Sequence, residues 1–367
     1  MSIDAATNRP SFLAGAAALL LAAASSSCQL LTPVPPVEPG TNPFVGRPLY
    51  LNAWSRAGNQ ADTWRNSRPE DAQLMDQLAA QPVSLWFGDW TANVETEIRT
   101  ETDNARAQGA LALMVLYNIP NRDCGLYSAG GVEDADAYRE WIGAAQRGIG
   151  KSVAAVILEP DALGNLADCL DAAGQRERLG LIAEAVETLS EGGQTAVYID
   201  AGNARWHPPE IMAERLQRAG VAKARGFALN VSNYVGTEES VAYGLAISEL
   251  LGGKPFVIDT SRNGNGPTEG SQWCNPHGRA VGEPPLSPTA DPRVDAYLWI
   301  KVPGESDGEC NDGPAAGGWW PEMAIELARN AEWTYRAAGL PVPLDSAPAL
   351  IPEGPDPFVA PSPGPHR

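Results

Sequence analysis

Two aspartates stand where apolar, β-branched runs of the sequence end. Asp123 follows the run 111–117, and Asp161 follows the run 153–158. In α/β barrels, the acids that do chemistry lie at the carboxyl ends of parallel strands. Two neighbouring carboxylates cannot both ionise at low cost, so we expect one to hold a proton near neutral pH and to serve as a general acid. A glycosidase needs such an acid.

The elements that position these acids follow from the alternation of apolar β-rich runs with amphipathic stretches. Strands are predicted at 49–53, 83–87, 111–117, 153–158, 195–199, 226–230, 255–259 and 296–301, and helices at 135–147, 174–190, 209–219, 238–251 and 320–338. This α/β pattern is typical of a parallel sheet with crossover helices, either a barrel or an open, doubly wound sheet. Polar residues at the ends of different strands favour the barrel. These residues are Asp123, Asp161, Asp200, Asn230, Asp259 and Lys301.

The two ends of the chain differ in composition from its body. Residues 1–28 are predicted to be an export signal, because Arg9 precedes an apolar stretch too short to span a bilayer comfortably. Cys28, which follows three serines, is either a lipidated lipoprotein cysteine or lies near an ordinary cleavage site. Residues 29–47 are predicted to be a Pro-rich linker, 48–340 the catalytic domain and 341–367 a Pro-rich disordered tail.

Charge and cysteine content limit the classes of function. The formal net charge of −19 argues against nucleic acid or an anionic membrane as partner, although simple solubility explains it equally well. Besides Cys28 there are four cysteines, an even number that fits disulfides in an exported protein and allows three pairings. We expect no metal and no cofactor, because the sequence has neither metal-site spacing nor a glycine-rich phosphate loop after its first strand.

Four segments carry a family resemblance: 117–124 (YNIPNRDC), 158–161 (LEPD), 198–202 (YIDAG) and 299–308 (WIKVPGESDG). They resemble, in order, the signature segments of glycoside hydrolase family 6, which contains inverting endoglucanases and cellobiohydrolases. The resemblance implies a single catalytic domain, a distorted, TIM-barrel-like (β/α) barrel of about seven parallel strands. It also implies two disulfides, Cys124–Cys169 and Cys274–Cys310.

The resemblance also implies roles for individual residues. Asp161 would be the proton donor, Asp123 the charge that keeps it protonated, Asp307 the nominal base, Tyr117 the ring against the reacting sugar, and Asp200 a supporting acid. The base is disputed in this family, and a water relay is the alternative. Sugar contacts are expected from Trp54, Trp206, Asn230, Trp273, Lys301, Glu305 and Ser128, of which Ser128 could instead anchor a relay water.

Each role has a plainer structural alternative. Asp161 could cap the turn that follows it, Tyr117 could be a core tyrosine, and Asn230 could cap a strand end. Asp123 could form a surface ion pair with Arg122. The sequence departs from the family at Asn203, where a histidine commonly follows Asp-Ala-Gly, and this weakens any expectation of ionic coupling there.

The predicted function is that of a secreted endo-β-1,4-glucanase acting with inversion on β-1,4-glucan chains as a monomer. A protein with a lipid on Cys28 would stay at the cell surface. Endo action is favoured because the two cysteine-bounded segments hold no long insertion that could roof a tunnel. A cellobiohydrolase of the same family and a non-catalytic glucan-binding protein remain as alternatives. The eleven tryptophans, against six phenylalanines, suit sugar stacking in all three cases.

Overall fold

The computed structural model of the protein describes residues 35–38 and 40–341. The predicted export signal with Cys28, the first part of the predicted linker and residues 342–367 of the predicted tail lie outside the described residues. Among the residues described, no helix is both long and apolar enough to cross a membrane.

The core of the molecule is one sheet of seven parallel strands whose spatial order is their sequence order. The strands are β1 Leu85–Phe87, β2 Ala112–Leu116, β3 Ala154–Leu158, β4 Thr195–Asp200, β5 Gly226–Leu229, β6 Phe256–Asp259 and β7 Val294–Leu298. The sheet curls into a distorted barrel, which confirms the predicted fold class. The predicted strand at 49–53 is wrong, because in that segment only Leu49 pairs, through a single bridge to Leu111.

The first and last strands meet at a narrow seam. Val83 and Trp299 form one isolated parallel bridge, and the Ser84 amide donates to the Trp299 carbonyl at 3.0 Å. The Trp86 indole donates to the Ile300 carbonyl at 2.8 Å. The barrel is therefore closed by far fewer backbone bonds than join its other strands.

Nine α-helices surround the sheet in the described part of the chain. They are α1 Arg56–Trp64, α2 Pro69–Ala79, α3 Val94–Ala107, α4 Ala135–Ile149, α5 Ala172–Ser190, α6 Pro209–Arg218, α7 Thr237–Leu250, α8 Pro321–Arg329 and α9 Glu332–Ala338. The helix predicted at 320–338 is two helices, α8 and α9. The sequence predicted none of α1 to α3. Apolar residues are few in α1 and α3, although Ser55 and Asn93 cap these two helices through their side chains.

Alternate side chains of each central strand pack into two different hydrophobic cores, one on each face of the sheet. On β2, Leu113 and Val115 point into the barrel, whereas Met114 and Leu116 contact the surrounding helices. Every residue of β2 and β3 is buried, which explains why these strands read as unbroken apolar runs.

A second hydrophobic cluster covers the seam from outside. Trp299 is fully buried there, beneath apolar side chains of α1, α2, α8 and α9 that include Met75 and Leu327. The contact between the first and last strands is thus secured mainly by helix packing.

The amino end of the barrel is closed by residues from the predicted linker. Phe44 is only 4% exposed and stacks on Tyr198 at a centroid distance of 6.0 Å. Nearby, buried Asp295 pairs with Arg225 at 2.8 Å and accepts a hydrogen bond from the Tyr198 hydroxyl at 2.7 Å. The folded domain therefore begins before residue 48, because one aromatic anchor outweighs the extended preference of the prolines around it.

Candidate active site

A cavity of about 400 Å³ opens at the carboxyl ends of the strands. Eight of the predicted site residues line it together: Tyr117, Asp123, Ser128, Asp161, Trp206, Trp273, Lys301 and Asp307. These residues come from the loops that follow β2, β3, β4, β6 and β7. Among the described residues, no group of three or more His, Cys, Asp or Glu side chains is arranged to hold a metal ion.

Asp161 sits half-buried in this cavity, just after β3, with its backbone in the left-handed region at φ +65°. Burial raises the pKa of its carboxyl well above the usual value, and the negative charges of Asp200, Asp123 and Asp307 raise it further. Lys301 opposes this shift. The 3₁₀ turn Gly164–Ala167 that follows has no side-chain cap, so Asp161 is not a capping residue there. The geometry provides a neutral carboxylic acid, as a general acid requires.

Asp200, the last residue of β4, lies beneath Asp161 and is fully buried. Its Oδ2 accepts hydrogen bonds from the backbone amides of Asp161 at 2.9 Å and Gly202 at 3.1 Å. Burial raises the pKa of Asp200 to about 7, against the lowering effect of these amides. Asp200 therefore orients the loop of Asp161 through the backbone amide, and its negative charge raises the pKa of the Asp161 carboxyl.

Asp123 accepts a hydrogen bond from the Ser128 amide through Oδ2 at 3.2 Å. Burial raises the pKa of Asp123, while the Ser128 amide, Arg122 and Tyr117 lower it. Arg122 is not its ion-pair partner, because the Arg122 guanidinium pairs with Asp89 at 3.0 Å. The disulfide Cys124–Cys169 ties the loop of Asp123 to the segment after Asp161.

The second disulfide, Cys274–Cys310, flanks Asp307. Both pairings implied by the resemblance are thus confirmed. Asp307 Oδ2 accepts from Arg262 at 3.0 Å, from the Tyr234 hydroxyl at 3.3 Å and from the Asn275 amide at 3.1 Å. The nominal base is therefore tied into an ion pair, and its role as base stays a prediction.

Two aromatic residues stand at the cavity wall near the acids. Tyr117 lines the cavity while most of its surface is buried, and its ring meets that of Trp86 edge-on at 5.7 Å. Burial, followed by the charges of Asp161 and Asp123, raises the pKa of the Tyr117 hydroxyl well above its usual value, so the hydroxyl stays neutral. The sequence predicted no place for Trp86, which the structure puts in the cavity.

Of the three tryptophans predicted to contact sugar, Trp206 and Trp273 line the cavity. The Trp206 ring lies so close to Gly164 that a Cβ there would come within 2.4 Å of it. Trp273, the residue before Cys274, lies 6.1 Å from Tyr127 between ring centroids. Gly308 lies so close to Tyr127 that a Cβ there would come within 2.3 Å of its ring, so the two disulfide-bounded segments touch each other.

Three predicted binding residues lie elsewhere. Asn230 is fully buried, and its amide group bonds Val235 and the Asp259 carbonyl, which matches the strand-end cap rather than substrate binding. Glu305 lies outside the cavity lining and pairs with Arg56 at 3.4 Å. Trp54 is 82% exposed and also lies outside the cavity lining.

Two buried carboxylates, to which the sequence assigned no role of their own, fix the loops. Glu159 accepts from the amides of Asn118 and Ile119 at 3.0 and 3.1 Å and from the Tyr138 hydroxyl at 2.9 Å. Burial raises its pKa to about 7 despite these donors. Asp259 accepts backbone amides of the loops after β5, β6 and β7. Its place at a strand end was a signal, but the sequence did not show which loops it binds.

The sequence matches one known family and is similar to several named proteins of that kind. The model of the family described as "Glycosyl hydrolases family 6" matches residues 44–331. "Endoglucanase A" of Cellulomonas fimi is 47% identical over 272 residues, which cover 74% of this chain but only 59% of that relative. "Endoglucanase 1" of Streptomyces halstedii is 41% identical over 281 residues, 73% of this chain and 86% of the relative.

Among solved structures, the endoglucanase Cel6 from Mycobacterium tuberculosis superposes with a TM-score of 0.74 at 46% sequence identity. The match covers 78% of this chain and 98% of that one. That structure holds methyl-cellobiosyl-4-deoxy-4-thio-β-D-cellobioside.

Proposed function

This chain belongs to glycosyl hydrolase family 6, and from that premise we propose that it is an endo-β-1,4-glucanase that inverts the anomeric configuration. The observation that carries the proposal is the environment of Asp161: a carboxyl whose pKa is raised by burial and by the charges of three other acids, in a cavity lined by three tryptophans.

In the proposed reaction, a glucan chain lies along the cavity with Tyr117 against the sugar at the cleaved bond. Asp161 gives its proton to the glycosidic oxygen as the bond from that oxygen to C1 breaks. A water attacks C1 from the opposite face and loses a proton to Asp307, directly or through further waters. The negative charge of Asp123 stabilises the positive charge that develops on the sugar.

The endo mode is supported by the names of the relatives and by the short segments that the disulfides bound, 45 and 36 residues apart in sequence. One observation favours the exo alternative, namely the contact of Tyr127 with Trp273 and Gly308, which brings the two disulfide-bounded segments together. Because aromatic contact alone is worth about 1 kcal/mol, it can separate when a chain enters. The full set of acids argues against a non-catalytic glucan binder.

We also propose that the protein works outside the cytoplasm as a monomer on β-1,4-glucan chains. Two disulfides support an oxidising compartment. Attachment through a lipid on Cys28 is a further proposal, which mass spectrometry of the exported protein would test.

The decisive experiment follows viscosity and reducing ends together on carboxymethyl cellulose. Endo action requires viscosity to fall steeply before many reducing ends appear, whereas early release of cellobiose at nearly constant viscosity would show exo action. Proton NMR of fresh product should show the α-anomer first. An initial β-anomer contradicts inversion, and no turnover at all contradicts the proposed function.

A further inference from the structure

Asp89 and Trp90 follow β1 and contact the loop that carries Asp123, although no role was predicted for either from the sequence. Asp89 Oδ1 pairs with Arg122 Nη1 at 3.0 Å, and its Oδ2 accepts from the Gly131 amide at 3.3 Å. The Trp90 ring lies over the guanidinium, with Arg122 Cζ 5.2 Å from the ring centroid. The two residues thus contact the same buried cation.

Arg122 in turn holds the loop together. Its Nε donates to the Ser128 carbonyl at 2.8 Å, its Nη1 donates to the Tyr117 carbonyl at 2.9 Å, and its guanidinium lies over the Tyr117 ring at 4.6 Å. Ser128 then donates its amide to Asp123 Oδ2. A continuous chain of contacts therefore runs from Asp89 through Arg122 and Ser128 to the carboxylate of Asp123.

The loop closes tightly on this pair. A Cβ at Gly130 would lie 2.4 Å from Arg122 Nη2 and 2.6 Å from Asp89 Oδ2. Arg122 is only 5% exposed, so its charge needs a partner within the protein. Charge-assisted hydrogen bonds of this kind fix geometry as well as charge.

We propose that Asp89 is a positioning residue: it holds Arg122, and through it Ser128, so that Asp123 presents its negative charge to Asp161, while the Trp90 ring covers the guanidinium of Arg122. This inference rests on the proposed function. Without Asp89, the buried guanidinium lacks its partner and turns towards Asp123, the acid next to it in sequence, which reduces the charge that Asp161 experiences.

The test is Asp89→Asn, with Asp103→Asn as matched control. Asp103 also pairs with an arginine, Arg106, but on the surface of α3. Because small misplacements at a reaction centre cost up to about a hundredfold in rate, we expect Asp89→Asn to lower kcat by about tenfold, with KM nearly unchanged. The alkaline limb of the pH profile should move to lower pH, and Trp90→Ala should do the same to a smaller extent. The control should match the wild type.

The double variant that combines Asp89→Asn with Asp123→Asn distinguishes a positioning role of Asp89 from simple structural damage. If Asp89 acts through Asp123, then Asp89→Asn adds little to the loss already caused by Asp123→Asn. Full additivity of the two losses, or an unmoved alkaline limb, overturns the inference while the proposed function stands.

Hydrogen exchange, which is measured without substrate, distinguishes failure of this inference from failure of the proposed function. Asp89→Asn is expected to speed hydrogen exchange at the Ser128 amide, whereas Asp103→Asn is not. Unchanged exchange overturns the inference even if the wild-type protein proves inactive. An inactive wild type with faster exchange in the variant overturns the proposed function and keeps the Asp89 contact chain.

Discussion

Replacing Asp200 by asparagine tests whether charge, rather than shape, keeps Asp161 protonated. After burial, the charge of Asp200 is the strongest contribution to the raised pKa of Asp161. Asparagine has nearly the same shape, and its amide oxygen can still accept from the Asp161 and Gly202 amides that Asp200 Oδ2 now binds. The substitution therefore removes one charge and leaves the acid's backbone in place.

The size of the effect follows from Coulomb's law. Two unit charges about 5 Å apart at an effective dielectric constant of about 20 repel by about 3 kcal/mol, or about two pKa units. Since the pKa of Asp200 is itself about 7, it is only partly ionised near neutral pH, and the repulsion is only partly present there. We therefore expect the alkaline limb of kcat to move down by about one to two pH units.

The assay is kcat against pH from acid to alkaline buffers at constant ionic strength, on a soluble β-glucan. Asp136→Asn is the control, because Asp136 forms an exposed pair with Arg139 on the surface of α4. A general acid works only when it is protonated. Removing a neighbouring negative charge lowers the pKa of the acid, so activity must be lost at a lower pH. A limb that stays in place or moves up refutes the reasoning.

Four further changes have expected outcomes. Asp161→Ala should abolish most turnover on polysaccharide but much less with a dinitrophenyl leaving group, which needs little protonation, and equal losses on both substrates would contradict its role as acid. Asp123→Asn should shift the alkaline limb to lower pH by less than Asp200→Asn does, as the same pH series will show. The pKa of Glu159 is raised to about 7, so its ionisation in the folded state lowers the free energy of unfolding as pH rises from about 4.5 to 7. Glu159→Gln should therefore flatten the fall in the free energy of unfolding over this range. Urea denaturation at several pH values measures it. Joint replacement of Cys274 and Cys310 by serine should lower the free energy of unfolding by about 4 kcal/mol, measured without reductant, because it frees a loop closed over 36 residues.

The parts of the fold that sequence predicted best are those where local composition and tertiary environment agree. Strands β2 and β3 are buried on both faces, and their apolar runs ended within one or two residues of the observed bounds. The prediction failed at 49–53, where an apolar segment makes one bridge only. It also failed at α1 to α3: α1 and α3 contain few apolar residues, α2 is only 11 residues long, and all three helices depend on neighbouring elements for their stability. Local pattern cannot report a partner elsewhere in the chain.

The same limit explains the errors at the site. The motifs predicted three acids that line the cavity, Asp123, Asp161 and Asp307, because the loops that carry them follow easily recognised strands. The ion pair between Arg122 and Asp123, which adjacency in sequence left open as the plainer alternative, does not form, because Arg122 contacts Asp89 on the loop after the neighbouring strand. For Asn230, the sequence left cap and ligand open, and only the hydrogen bonds of its buried amide decide between them.

The seam between β1 and β7 has a consequence for how the width of the cleft is set. Trp86 and Lys301 both line the cavity and stand on opposite sides of this joint, with Lys301 Nζ 5.7 Å from the Trp86 ring. The backbone contributes a single bridge there, so the aperture is held mainly by the apolar packing of outer helices on Trp299. Residues such as Met75, which belong to this outer cluster and not to the cavity lining, therefore help to set the width of the cleft. We expect substitutions at such positions to alter the substrate range while every lining side chain stays the same.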